Sequence, residues 1–295
     1  MNEKNIRERL IGFFFSSIGT VSLVILIGIF VFLFVSSIGA FTKIPLKEFF
    51  FGKMWNPLGY GGSSWGILSL VMGTLMITGL SMIIAIPLGI ASAIYLSQIA
   101  SPKIREIVKP TIEMIASVPS VVLGLIGILF LAPLIAGIFN LSSGLNAFTS
   151  SLIVAVMVLP TIISLSEDIF ASLPNDFTEA SLSLGATKWQ TIKMVLIPAA
   201  LSGIFAAVML GLGRAVGETM AVLMISGNSL AFPTGLFDSV RPMTANIAIE
   251  MKEVVQGSLH YHSLFLIGMV LFVFTFLVNL ISDIIIENQT KKYKW

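Results

Sequence analysis

No charged residue occurs between Leu10 and Thr42, and none between Met114 and Ser166. Crossing roughly 30 Å of hydrocarbon takes about 20 apolar residues in a helix. The first run is longer than the ~7–15-residue apolar core of a cleavable signal, so it reads as a retained span. The second holds two spans, divided by the turn sequence Asn140-Leu141-Ser142-Ser143-Gly144-Leu145-Asn146. Six spans are expected in all: Phe13–Ser36, Ile67–Leu96 with a kink at Pro87, Ile115–Ile138, Ser151–Phe170, Val195–Gly227 and Ser263–Ile286. Only 11% of the 295 residues are charged, against about 25% in a soluble domain. The expected fold class is an all-α polytopic membrane protein in a lipid bilayer. A net charge of +2 offers no nucleic-acid footprint, and the absence of Cys excludes disulfides and thiolate metal sites.

Cation placement orients the chain. Six spans put Lys4, Arg7, Arg9, Lys103, Arg105, Lys109, Lys188, Lys193, Lys291, Lys292 and Lys294 on one side. The other side receives Lys43, Lys47, Lys53, Arg241 and Lys252. The richer side faces the cytoplasm, so both termini are expected inside the cell membrane. Two long outer loops, Gly39–Trp65 (with Trp55-Asn56-Pro57 and Gly59-Tyr60-Gly61-Gly62) and Leu230–His262, suit either an external partner or interfacial packing. A helical piece is expected at Ala245–Val255.

The cytoplasmic segment 175–190 has more structure than a connector needs. Asp176 with Glu179 reads as an N-cap pair, Gly185 suits a left-handed helix end, and Thr187 with Gln190 forms a second capping box. Two short helices joined at a glycine make a rigid elbow, suited to mechanical contact with another protein. Glu179-Ala180-Ser181, three residues, Gly185, nine residues and Val195-Leu196-Ile197-Pro198 resemble the coupling motif of ABC importer permeases. Ser181 replaces the motif's second Ala, and Val195 and Ile197 replace Ile and Leu. The resemblance implies that Glu179, Ala180 and Gly185 contact an ATPase subunit.

Span five carries Arg214 and Glu218. Arg214 lies sixteen residues past Pro198, roughly 24 Å along a helix. Placing a charge there costs at least about 2.5–3.5 kcal/mol, so the side chain needs a partner or a water-lined cavity. Glu218 is four residues on and is expected to pair with it across one helical face. An arginine fork matches oxyanion geometry and stays protonated, which points to a pathway for an anion. A static pair that fixes packing is the other reading. Gly203, Ala207, Gly211 and Ala215 form a small-residue stripe, and Gly213 with Gly217 a second, so span five is expected to pack closely on another helix, of this chain or of a partner subunit.

The segment Gly211-Leu212-Gly213-Arg214-Ala215-Val216-Gly217-Glu218-Thr219-Met220 continues to Gly227-Asn228. It resembles the PstC-type permeases of phosphate-specific ABC importers, as do Ala85–Ile90, Ser117–Val122 and Leu159–Ile162. The resemblance implies the type I ABC importer permease fold, with an N-terminal helix and outer loop over 1–66 and the permease domain over 67–290. It also implies a second, PstA-type permease, two ATPase subunits on the cytoplasmic face, an extracytoplasmic phosphate-binding protein, and inorganic phosphate as cargo. Arg214 and Glu218 would line the substrate pathway. No cofactor is implied.

Other candidates carry less. Glu167-Asp168, near the cytoplasmic end of span four, suits ion pairing with cations of the coupling region, with acid–base chemistry as the rival. Ser117-Val118-Pro119-Ser120 suits a proline kink, or a break that offers hydroxyls. His260 and His262 point apart in a helix and lack a third ligand, so they suit the outer interface. No Walker A pattern occurs, so no catalytic residue is expected here and ATP hydrolysis belongs to another polypeptide. A sulfate or molybdate permease, an intramembrane enzyme and a self-sufficient channel or secondary transporter are the alternatives.

Overall fold

The computed structural model describes residues 3–59 and 62–292. Tyr60 and Gly61 of the outer-loop glycine motif and Lys294 of the C-terminal tail lie outside the described residues. Six helices are long and apolar enough to cross a membrane: Ile11–Lys43, Leu68–Ile99, Ser120–Phe139, Ala147–Ser172, Lys188–Gly217 and Leu259–Ile284. Each falls on an expected span.

Within this frame α1 covers Glu3–Lys43, followed by the short α2 (Leu46–Phe51) and a two-residue hairpin, β1 (Trp55–Asn56) with β2 (Ser64–Trp65). Span two is α3 (Leu68–Ile94), prolonged by a π-helical turn at Tyr95–Ile99. Then come α4 (Pro102–Ala116), and span three as α5 (Ser120–Ile126), a π-helical turn at Gly127–Leu131 and α6 (Ala132–Phe139). Span four is α7 (Ala147–Ser172). The elbow is α8 (Asn175–Ser183) and α9 (Lys188–Thr191), a π-helical turn at Ile192–Leu196 leads into α10 (Ile197–Gly217), and α11 (Met220–Ile225) follows. The outer helix α12 (Met243–Glu250) and span six, α13 (Leu259–Lys292), complete the chain.

Three boundaries differ most from expectation. Span three starts at Ser120 rather than Ile115, because the chain breaks at Ser117–Pro119. The residue before a proline is driven out of the α region, and Val118 precedes Pro119. This is a full break rather than a kink. Span five stops at Gly217 rather than Gly227: Glu218 is extended (φ −66°, ψ 123°) before the chain re-enters a helix at Met220. The outer helical piece also ends early, at Glu250 rather than Val255.

In lipid the solvent is as apolar as leucine, so close packing rather than apolar burial holds helices together. The central helix α7 shows this. Ile162 is fully buried between glycines of two neighbours. A Cβ on Gly89 of α3 would meet Ile162 Cγ2 at 2.6 Å, and one on Gly211 of α10 would meet Val158 Cγ1 at 2.9 Å and Ile162 Cγ1 at 3.0 Å. Gly203 is likewise closed by Ile169. The first small-residue stripe of span five therefore packs on α7 of the same chain, not on a partner. Gly213 and Gly217 of the second stripe face open space.

The first span stands apart and rests on α13. Phe30 meets Phe272 (ring centroids 5.9 Å) and Phe32 meets Phe265 (5.5 Å), while His262 Nδ1 lies 2.6 Å from the Ser36 carbonyl oxygen. On the outer side, backbone N–H groups of Ala147 and Phe148 donate to the carbonyls of Asp238 and Leu236 (3.0 and 2.9 Å), and Thr149 N–H donates to the Asn146 side chain (2.9 Å). The outer loop thus satisfies the first turn of α7, whose donors have no intrahelical partner.

Candidate functional site

Locking Ile162 between two glycines fixes the rotation of α7, and with it the neighbouring Thr161. Arg214, on α10, reaches this residue: Nη1 donates to Thr161 Oγ1 at 3.1 Å and Nη2 to the Ala116 carbonyl at 3.4 Å. Ala116 is the last residue of α4, where free carbonyls and the negative end of the helix dipole favour a cation. Both partners are uncharged, so the guanidinium keeps its full positive charge. It opens on a cavity of about 360 Å³ lined by Thr161, Met209, Leu210, Gly213, Arg214 and Asn279. Gly213, with no atom near the position of a side chain, leaves the approach to Arg214 clear.

The expected pair between Arg214 and Glu218 does not form. Glu218 lies beyond the end of α10, so the one-turn geometry that would bring the two together is lost. Its Oε1 instead accepts from the Ala221 N–H (3.0 Å), and its carbonyl accepts from Thr244 Oγ1 (3.1 Å). Glu218 marks the discontinuity in span five. Ser117 does not offer its hydroxyl to the cavity either; it donates to Met114 O (2.6 Å).

Below the break, α4 is tied to α7 by ion pairs. Glu167 is fully buried and meets Arg105 Nη2 and Lys109 Nζ (2.6 Å to the latter), and Lys109 also meets Asp168. The two carboxylates are therefore paired with cations of the segment after span two, not with those of the coupling region, because α4 packs against this end of α7. Burial pushes the Lys109 ammonium down, but hydrogen bonds to Asp168 and Glu167 outweigh it and raise its pKa. This clamp holds α4 in the position that brings Ala116 to Arg214.

The elbow forms, with one change of detail. Asp176 is not the N-cap; α8 starts at Asn175 after Pro174, no side chain caps it, and Asp176 falls in its first turn. Proline preceding the helix supplies the extended conformation that a cap requires. At the other end Gly185 is left-handed (φ 84°), and the Gly185 and Ala186 N–H groups donate to Leu182 and Ser181 carbonyls (2.9 and 3.2 Å), the Schellman pattern. The capping box of Thr187 and Gln190 is complete. Ser181, the residue that departs from the coupling motif, is buried and its hydroxyl lies 3.0 Å from that of Thr191, bracing α8 on the next segment. Glu179, Ala180 and Gly185 are exposed, as are Leu182, Leu184 and Trp189. Spacing alone did not single out Ser181 or the exposed Leu184 and Trp189.

On the outer face the Glu250 carboxylate gathers Trp55 Nε1 (2.9 Å), Arg241 Nη1 (3.3 Å) and His260 Nε2 (2.8 Å). His260 and His262 are thus separate, structural groups, and no cluster with metal-ligand character occurs among the described residues.

Residues 85–295 match the family described as binding-protein-dependent transport system inner membrane component. A probable ABC transporter permease protein, YqgH, of Bacillus subtilis is 40% identical over 79% of this chain and 75% of its own length. The phosphate transport system permease protein PstC of Mesorhizobium japonicum is 35% identical over 88% of this chain and 84% of its own. The crystal structure of a bacterial ABC transporter involved in alginate import superposes with a TM-score of 0.64 at 14% identity, over 96% of this chain and 99% of that one. The architecture is that of a type I ABC importer permease, a multi-pass inner-membrane subunit that works with ATPase and substrate-binding partners. The chain belongs to the family of binding-protein-dependent transport system inner membrane components.

Proposed function

We propose that the chain is the PstC-type permease subunit of an ATP-driven importer of inorganic phosphate. It forms the translocation pathway together with a PstA-type permease, receives phosphate from an extracytoplasmic binding protein and is driven by two cytoplasmic ATPase subunits, with both termini in the cytoplasm. Arg214 carries this reading: a guanidinium inside the bundle, held by two neutral acceptors and facing a cavity, suits a mobile anion better than a permanent counter-ion. Relatives named as phosphate transport permeases support the choice of cargo over sulfate or molybdate.

In this reading the unit runs over 67–290, with the N-terminal helix and outer loop of 1–66 as an addition. Arg214 stabilises the transiting anion electrostatically, and Glu218, at the break in span five, contributes the second pathway group. Glu179, Ala180 and Gly185 form the ATPase contact, and the exposed Leu182, Leu184 and Trp189 enlarge it. Closure of the ATPases on ATP would move the elbow and rock the span bundle. Arg214→Gln, tested in the assembled transporter in liposomes, is expected to abolish phosphate uptake while the partners still co-purify. Wild-type uptake by this variant overturns the reading.

A further inference from the structure

We propose that Asn279 of span six is a further substrate-positioning residue, which supplies the hydrogen-bond acceptor that recognises the proton retained by phosphate. The inference rests on the phosphate reading above and adds a residue to the same cavity.

Asn279 is an exposed residue of α13, with the apolar Phe276 and Leu280 beside it and the polar Thr275, Ser282 and Asp283 one turn away. Polar groups within membrane helices face a bundle interior or a water-filled space rather than lipid. Here that space is identifiable, because Asn279 lines the cavity of about 360 Å³ that contains Arg214 and Thr161. Among the described residues its amide has no hydrogen-bond partner. An amide unpaired in hydrocarbon would be costly, and Asn279 is exposed in the single chain, so a guest of the cavity can reach it.

The chemistry of the cavity lining defines that something. Arg214 offers only donors. Thr161 Oγ1 already accepts from Arg214, which leaves its hydroxyl one hydrogen to give and one lone pair. Met209, Leu210 and Gly213 bring no polar side chain. Asn279 alone contributes both an N–H₂ group and a free carbonyl oxygen. An oxyanion without a proton needs donors only, whereas phosphate near neutral pH keeps an O–H that requires an acceptor. The Asn279 carbonyl meets that requirement without adding negative charge next to a transiting anion, which a carboxylate would do.

The test uses the complete transporter in liposomes with inorganic phosphate and the loaded binding protein. Asn279→Leu is expected to lower the maximal rate of phosphate uptake about tenfold or more, the range set by losing one hydrogen bond to a charged group. The KM for loaded binding protein and co-purification of the partners stay unchanged, because Asn279 acts after docking. Asn279→Gln, which keeps the amide, recovers part of the rate. Wild-type uptake by Asn279→Leu overturns the inference, and so does a loss of assembly in Asn279→Leu that Asn279→Gln does not share with a rate defect. Arg214→Gln, run in parallel, separates the two levels. If that variant is inactive and Asn279→Leu is normal, only the role of Asn279 falls; if it transports normally, the phosphate reading falls first.

Discussion

Arg214 Nη2 donates to the carbonyl oxygen of Ala116 at 3.4 Å, so the cation of span five rests on the C-terminal end of helix α4. Its other terminal nitrogen is committed to Thr161. Two partners on two helices need a fork. A lysine offers a single nitrogen at the end of a flexible stem. Arg214→Lys is therefore expected to keep the charge but lose most phosphate uptake, with unchanged amounts of assembled complex. Uptake within twofold of wild type would show that charge alone suffices.

Gly185 tests the elbow through backbone conformation alone. A Cβ there meets no atom within 4 Å, so a substitution costs only what a left-handed φ costs. That is roughly 1–2 kcal/mol for a general residue and less for Asn. Gly185→Val should distort the elbow and lower the ATP hydrolysis stimulated by the binding protein, while Gly185→Asn should be close to wild type. Equal behaviour of the two would remove the elbow from the coupling path.

The Glu167 clamp makes an asymmetric prediction. Glu167→Gln removes a buried charge and leaves Arg105 and Lys109 partly solvated, with Asp168 still available to Lys109. Its cost should be about 1–3 kcal/mol. Replacing Arg105 and Lys109 together by Met strands a buried carboxylate, which costs roughly 3–5 kcal/mol. Thermal unfolding in detergent should rank the double variant as clearly less stable; the reverse order would mean that the carboxylate is satisfied elsewhere.

Close packing around α7 predicts a different kind of defect. Gly211→Leu forces a side chain into Val158 and Ile162, and overpacking of this kind typically costs about 1–3 kcal/mol. Because Thr161 adjoins Ile162, the displacement should reach the Arg214 hydrogen bond and lower both Tm and uptake. Gly213→Ala, one turn-face away in open space, should leave Tm unaltered.

The outer loop has its own pH signature. The Asp238 carboxyl is held below its usual range by N–H donors of Thr234 and Gly235, with the Thr234 hydroxyl adding to them. A lowered folded-state value means that this stabilisation is present above the ordinary carboxylate pKa and is lost as pH falls through the lowered one. Asp238→Asn should reduce Tm at neutral pH, and the gap from wild type should close in strong acid. For Lys109, whose value is raised, the corresponding loss comes on the alkaline side, as pH climbs through the raised value.

The spans, the elbow and the need of Glu167 and Asp168 for cations are readable from sequence because each follows from a local rule, whereas the segment that supplies those cations, α4 and not the coupling region, is set by tertiary packing. The Arg214–Glu218 pair was misread because an i,i+4 argument assumes a continuous helix, and nothing before Glu218 announces that α10 ends at Gly217. The partners that Arg214 does have, Thr161 and Ala116, are far from it in sequence and meet it only through tertiary packing. The same holds for Asn279, whose place beside Arg214 emerges only when span six is laid along the cavity.

Glu250 is the keystone of the lip formed by the hairpin, the loop before α12 and the start of α13. One carboxylate fastens the tryptophan hairpin, the arginine after span five and the first turn of span six. Prising one of these away would cost the carboxylate a hydrogen bond beside tryptophan rings, and the three ties together favour movement of the lip as a block. Tilting of the whole block would then admit cargo along the margin of this subunit rather than through a seam within it.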